Sequence, residues 1–168
     1  VIVVRGTKKF LDRVGRPEAD PSASTAVLGD WYANVLFWRR QVALFVNTAT
    51  FVPVFMPLAP AGGVLGRFPA AMAEVLGVLG VDPRFVHAET FEMSSVELAK
   101  TASRQVLGVM NEFAFMAEHT ISTGHSDPDD LLGLSVWLAD TIVGPISRDD
   151  GSTPRGALDR IVTTALAV

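Results

Sequence analysis

The sequence predicts an α+β fold: a single domain over residues 1 to 168, with a mainly antiparallel sheet of about four to five strands packed against about five to six helices. Three observations carry that expectation. Short β-branched or alternating runs near 1 to 5, 32 to 56 and 95 to 101 read as strands. The strands of the middle block follow one another so closely that they must pair antiparallel, because a parallel crossover needs about a dozen residues or more. Apolar residues at helical spacing, bounded by capping residues, fill most of the chain beyond that block.

Taken in order, VIVVR forms the first strand, and Thr7 is placed to cap KKFLDRV as a helix over 8 to 14. Residues 15 to 30, rich in Gly, Pro, Ser and Asp, form a loop. YANVLFWRRQVALFVNTATFVPVFM holds up to three strands, near 32 to 38, 42 to 47 and 51 to 56. Val42, Leu44 and Val46 alternate with Ala43, Phe45 and Asn47, as a pleated strand requires. Pro53 suits an edge strand or a bulge. Phe68, Met72, Val75, Leu76 and Leu79 then recur at helical spacing, with Pro69 in the first turn and Gly80 at the end. Asp82 and Pro83 open a short helix over 83 to 92, and SVELAKT, 95 to 101, returns to strand alternation. Ser103 caps a long helix that runs to about His119 or Ile121. Asp127 and Pro128 start the next, through Asp140; Thr153 and Pro154 start the last, through Leu166. No internal repeat and no long linker divides the domain.

Composition narrows the classes. At 168 residues the chain can bury about two-thirds of its unfolded surface. With 49% apolar and 19% charged residues, it has the opposite balance to a disordered chain. Without cysteine there is no disulfide frame, thiolate nucleophile or Cys-based zinc site. Val42 to Gly66 carries no charge, but Pro53, Pro57, Pro60 and the Gly62 and Gly63 pair argue against a membrane-spanning helix. VIVVRGTKK has no signal-peptide pattern, so a cytoplasmic protein without a membrane partner is expected. Charge is uneven. Residues 1 to 40 hold seven basic and four acidic residues, whereas the remainder holds seven basic and fourteen acidic. The basic cluster of Lys8, Lys9, Arg13, Arg39 and Arg40 alone supports a nucleic-acid role, and base-stacking motifs are missing. A nucleic-acid partner is not expected.

The long helix carries the least ordinary pattern. At 100° per residue, Val106, Leu107, Val109, Met110, Phe113, Ala114, Ala117 and Ile121 form its broad core stripe, and Arg104, Gly108, Asn111, Phe115 and Glu118 form a column on the other side. Glycine in mid-helix costs about 1 kcal/mol relative to alanine, so another backbone or a ligand is expected against Gly108. Lys100 and Thr101 are delivered to the helix start, where backbone donors and the dipole favour an anion. Lys100, Thr101, Ser103, Arg104, Gly108 and Asn111 are therefore the candidate ligand site. The plainer alternative is a capped strand-to-helix turn in which Arg104 and Asn111 hold a neighbouring loop, and the lack of a Gly-rich phosphate loop favours it.

His119, His125, Asp127, Asp129 and Asp130 include metal-ligand types, but helix-start chemistry accounts for the acids, so no metal or cofactor is expected. Neither GxSxG nor SxxK is present, and whether the protein is an enzyme stays open. Glu89 with Glu92 reads as a pair of solvated surface charges. Trp31, Tyr32, Phe37 and Trp38 favour pairing of the hairpin region with a second copy.

TKKFLDR, DWYANVLFWRRQVALFVN and KTASRQVLGVMNEFAF, in that order, resemble a bacterial domain family of unknown function over about residues 3 to 145. KTxSRxVLGxMNE is the most specific block. The resemblance implies no catalytic residue, and it implies a link to mobile-element genes; the tail over 146 to 168 departs from it. The first expectation is a non-enzymatic accessory or interaction domain, self-associating as a homodimer through its sheet or its aromatic hairpin. The alternative is an enzyme or sensor that binds a small anion, phosphate or nucleotide, at the 100 to 111 turn. A third is a mobile-element protein that binds nucleic acid.

Overall fold

In the computed structural model, which describes residues 1–144 and 153–168, the VIVVR segment enters the interior of the sheet as β1 (Ile2–Gly6). Thr7 caps α1 (Lys8–Val14) by accepting from the Phe10 amide. The chain then builds β2 (Trp31–Leu36), β3 (Val42–Asn47) and β4 (Pro53–Pro57). Next come α2 (Val64–Val78), α3 (Pro83–Glu92), β5 (Val96–Lys100), α4 (Arg104–Ser122), α5 (Leu131–Ala139) and α6 (Pro154–Leu166). The sheet order is β4-β3-β2-β1-β5. β2, β3 and β4 are antiparallel, as their short connections require, while β1 is parallel to both β2 and β5. The fold is α+β with a mixed sheet.

Both faces of the sheet are covered. Ile2, Val4, Ala33 and Phe45 pack with Phe10 of α1, Phe68 and Met72 of α2 and Phe85 of α3. Phe45 stacks on Phe68 at 4.0 Å between ring centroids, and Trp31 meets Phe68 edge-on at 5.1 Å. On the opposite face Tyr32, Leu44, Val46 and Phe55 pack against Val106, Met110 and Phe113 of α4. The core stripe expected for the long helix is this contact.

The sheet edges are occupied as well. On β4, bounded by Pro53 and Pro57, the Phe55 amide donates to Ser135 Oγ of α5 at 2.9 Å. On β5, the Leu98 carbonyl accepts from the Glu18 amide at 2.7 Å. Edge strands treated this way offer little backbone for pairing with another chain.

Two helix starts differ from expectation. α2 begins at Val64, ahead of Phe68, so Pro69 lies inside the helix rather than in its first turn. Its N-cap is Gly63, which has no side chain to advertise the position, and a 3-10 turn over Ala61–Gly63 feeds into it. Arg67 in the first turn binds the carbonyls of Pro57, Leu58 and Pro60, fixing the preceding loop. α5 begins at Leu131 because Asp130 caps it through the Gly133 amide, whereas Asp127 accepts from the Asp129 amide in a separate turn. Of the tail over 146 to 168, only residues 153–168 are among those described, and Thr153 and Pro154 start α6 there as expected.

Candidate functional site

Lys100 ends β5, and Ser103 caps α4 by accepting from the Val106 amide at 3.3 Å. The helix entrance is further tied by Tyr32 of β2, whose hydroxyl accepts from the amides of Ala102 at 3.1 Å and Ser103 at 2.8 Å. Of the donors at the helix start, the Ser103 amide is thus already engaged by a phenol oxygen and the Val106 amide by the Ser103 hydroxyl. The Lys100 carbonyl accepts from Arg5 Nη1 at 3.3 Å, and Arg5 Nε pairs with Asp30 at 2.8 Å. The Lys100 side chain is exposed, and Thr101 is half-buried.

The other candidate residues lie farther along the same helix. Arg104, Gly108 and Asn111 are all exposed, and neither Arg104 nor Asn111 hydrogen-bonds a neighbouring loop among the described residues. A Cβ built on Gly108 would meet no atom within 4 Å. The contact expected to offset the glycine is not supplied by any of the described residues. A direct consequence is that Gly108→Ala raises stability by about 0.5–1 kcal/mol in urea unfolding at dilute protein, since helix propensity is gained without a clash. A loss of stability there would show that the position is crowded.

Over its first three turns the exposed face of α4 comprises Arg104, Gln105, Gly108, Asn111, Glu112 and Phe115. Beside it lies the β2–β3 turn, residues 37–41. Lys9, Phe37, Trp38, Asn111, Phe115 and Glu118 line an open groove of about 380 Å³ between the two. Phe37 is 59% exposed and Phe115 70%. Trp38 is fixed between the layers by stacking on Phe55 and by donating from Nε1 to Glu118 at 3.0 Å. Lys9 sits over the Phe37 ring, 5.5 Å from its centroid, and Phe115 stacks on His119. The tip of the aromatic hairpin, Phe37 and Trp38, therefore meets the α4 column at one surface, whereas Trp31 and Tyr32, grouped with them in the sequence, are buried in the core on opposite faces of the sheet.

A second cleft, of about 580 Å³, opens on the other side of Trp38, with Arg39, Arg40, Gln41 and Asp129 on its walls. Arg40 and Asp129 approach to 3.7 Å at exposed positions, a pairing worth little in water. Arg13 donates to Gln41 Oε1 at 2.7 Å, so the basic residues of α1 and of the turn do lie near one another. Lys8 is paired with Asp12. Among the described residues no three His, Cys, Asp or Glu side chains gather as metal ligands. His125 instead shares a hydrogen bond with Thr123.

The structure corrects one assignment outright. Glu89, read as a solvated charge, is 1% exposed, and its carboxylate accepts from the amides of Val27 at 2.7 Å and Leu28 at 3.3 Å. Its sequence context of ordinary helix residues gives no sign of that burial, which depends on where the 15–30 loop returns. Glu112 and Gln105 also escaped the column drawn from the sequence, although helical spacing places them on the same exposed face.

Fold and surface together define a single-sheet α+β domain with both sheet faces covered and an exposed, aromatic-bearing helix face. The chain belongs to the family described as Domain of unknown function (DUF6933), which it matches over residues 3–156. That match continues past residue 145, where the motif resemblance stops, into the start of α6. No curated protein and no solved structure matches the chain. No helix among the described residues is long and apolar enough to cross a membrane.

Proposed function

We propose that this is a protein-interaction domain that pairs with a second copy of itself through the groove between α4 and the β2–β3 turn. The observation that carries this reading is the pair of rings lining that groove, Phe115 and Phe37, at 70% and 59% exposure. Fully burying a phenylalanine is worth about 1.5–3 kcal/mol, and a symmetric contact counts each ring twice. Pairing through the sheet has less support, because its faces carry helices and its edges are held by Ser135 and by the 15–30 loop. Anion binding at the 100 to 111 turn also has less support, given that the Ser103 and Val106 amides are taken by the Tyr32 and Ser103 hydroxyls.

Sedimentation velocity over a wide concentration range tests the reading. The wild-type protein is expected to show a reversible dimer, and Phe115→Ser or Phe37→Ser to weaken it by roughly tenfold or more. A wild-type chain that remains monomeric at its highest soluble concentration would overturn self-association.

A further inference from the structure

The exposed face of α4 is self-complementary about Gly108. From this we infer that two copies join helix to helix, with their α4 segments antiparallel and crossing at that glycine. The inference rests on the self-association reading and specifies its geometry.

Arg104 and Glu112 stand four residues before and four after Gly108. Each lies about 6 Å from it along the helix axis, and they flank it at about 40° on either side. Both are exposed, and among the described residues neither has an ion-pair or hydrogen-bond partner. They cannot serve each other within one helix, because eight residues separate them by about 12 Å, twice the spacing at which helix ion pairs form. A two-fold axis beside Gly108 reverses one helix against the other. Arg104 of each copy then faces Glu112 of its mate, and two unpaired opposite charges become two intermolecular pairs. Gln105 and Asn111 lie about 60° to either side of Gly108, so the same operation sets each beside its own copy, amide against amide, and it lays Phe115 over the start of the second helix.

Gly108 gives the crossing its closeness. Residues 104, 108 and 112 form one i±4 ridge, and the commonest helix packing places the i±4 ridges of two helices together at about −50°. The ridge is notched at its centre, since a Cβ there would touch nothing within 4 Å and glycine has none. The intrahelical penalty of a mid-helix glycine is thus offset by an approach made between copies rather than within one. Other titratable groups bordering the face are Lys9, Glu118 and His119; Glu118 is engaged by Trp38, and His119 is stacked on Phe115. Lys9 is held over the Phe37 ring, and none of the three is paired with Arg104 or Glu112.

Charge exchange tests the arrangement. Arg104→Glu and Glu112→Arg each place like charges across the contact, so either variant alone weakens the dimer by roughly tenfold or more in sedimentation velocity at low salt. The double variant Arg104→Glu/Glu112→Arg re-creates opposite pairing and returns affinity to within about threefold of wild type. Gly108→Leu is the companion: at dilute protein its thermal midpoint stays at or above the wild-type value, while the dimer is lost. Single variants that dimerise like wild type, or a double variant as weak as the singles, would overturn the antiparallel α4 pairing while leaving self-association standing. A monomeric wild type would instead remove the reading beneath it.

Discussion

Asn47→Ala is expected to lower stability by about 3–5 kcal/mol, measured by urea unfolding followed by far-UV circular dichroism. Asn47 closes β3 and is fully buried. Its Nδ2 donates to the carbonyls of Leu28 at 2.8 Å and Asp30 at 3.2 Å. Its Oδ1 accepts from the Ala49 amide at 3.1 Å and from the amide and hydroxyl of Thr50, both at 3.0 Å. One carboxamide thus ties the 15–30 loop to the sheet and shapes the β3–β4 turn. That turn includes Phe51 at φ 61°, a left-handed conformation that a bulky side chain adopts only when its surroundings enforce it. Alanine would leave buried donors and acceptors unpaired, at about 1–3 kcal/mol for each that water cannot reach. Asn47→Asp separates the roles of the two ends. It keeps the acceptor on the turn but sets an anion against the Leu28 and Asp30 carbonyls, so it too is strongly destabilising. A loss below about 1 kcal/mol for the alanine variant would mean that the turn forms without this side chain.

The β3 strand and the start of α4 show what local sequence conveys. Alternation identified Val42 through Asn47 as a strand, and Ser103 is the cap that the sequence suggested, because both signals reside in a few adjacent residues. Asn47 itself was visible only as one alternating position. Its five hydrogen bonds go to four residues, two in the turn that follows and two in a loop some seventeen to nineteen residues earlier. The placement of β1 between two parallel neighbours was similarly hidden, since no short connection forces it and β5 is contributed from the far side of two helices. At the candidate site, helical periodicity gave the Arg104, Gly108 and Asn111 face correctly as one surface. What lies over that surface cannot be encoded in the spacing. Nor does periodicity show that Phe37 comes beside Phe115, which requires the β2–β3 turn to reach α4 across one face of the sheet.

Glu89→Ala is expected to cost about 2–5 kcal/mol, and Glu89→Gln to cost less while changing the pH dependence. The carboxylate leaves α3 to receive the Val27 and Leu28 amides, anchoring the end of the 15–30 loop beside the buried Leu28. Alanine would orphan both donors. Glutamine keeps one carbonyl oxygen but turns an N–H₂ toward the other amide, so one of the two bonds is lost. Burial pushes the Glu89 carboxyl above its ordinary range; the two backbone hydrogen bonds oppose that shift, and the nearby Glu92 charge adds to it. The sign follows from proton linkage. With the folded pKa raised above the unfolded one, the native state binds more protons between the two values, so this group's contribution to stability falls as pH rises through that window. Glutamine does not titrate. The stability of wild type minus that of Glu89→Gln should therefore decline as pH rises from about 4.3, the ordinary glutamate value, and level off above the raised native pKa. Urea unfolding of both proteins across that range measures the difference directly and cancels the opposing contribution of Glu97, whose pKa is lowered by the Ser22 amide. A difference that stays flat, or that grows with pH, would show that Glu89 is held as a well-solvated anion rather than as the buried anchor of the loop.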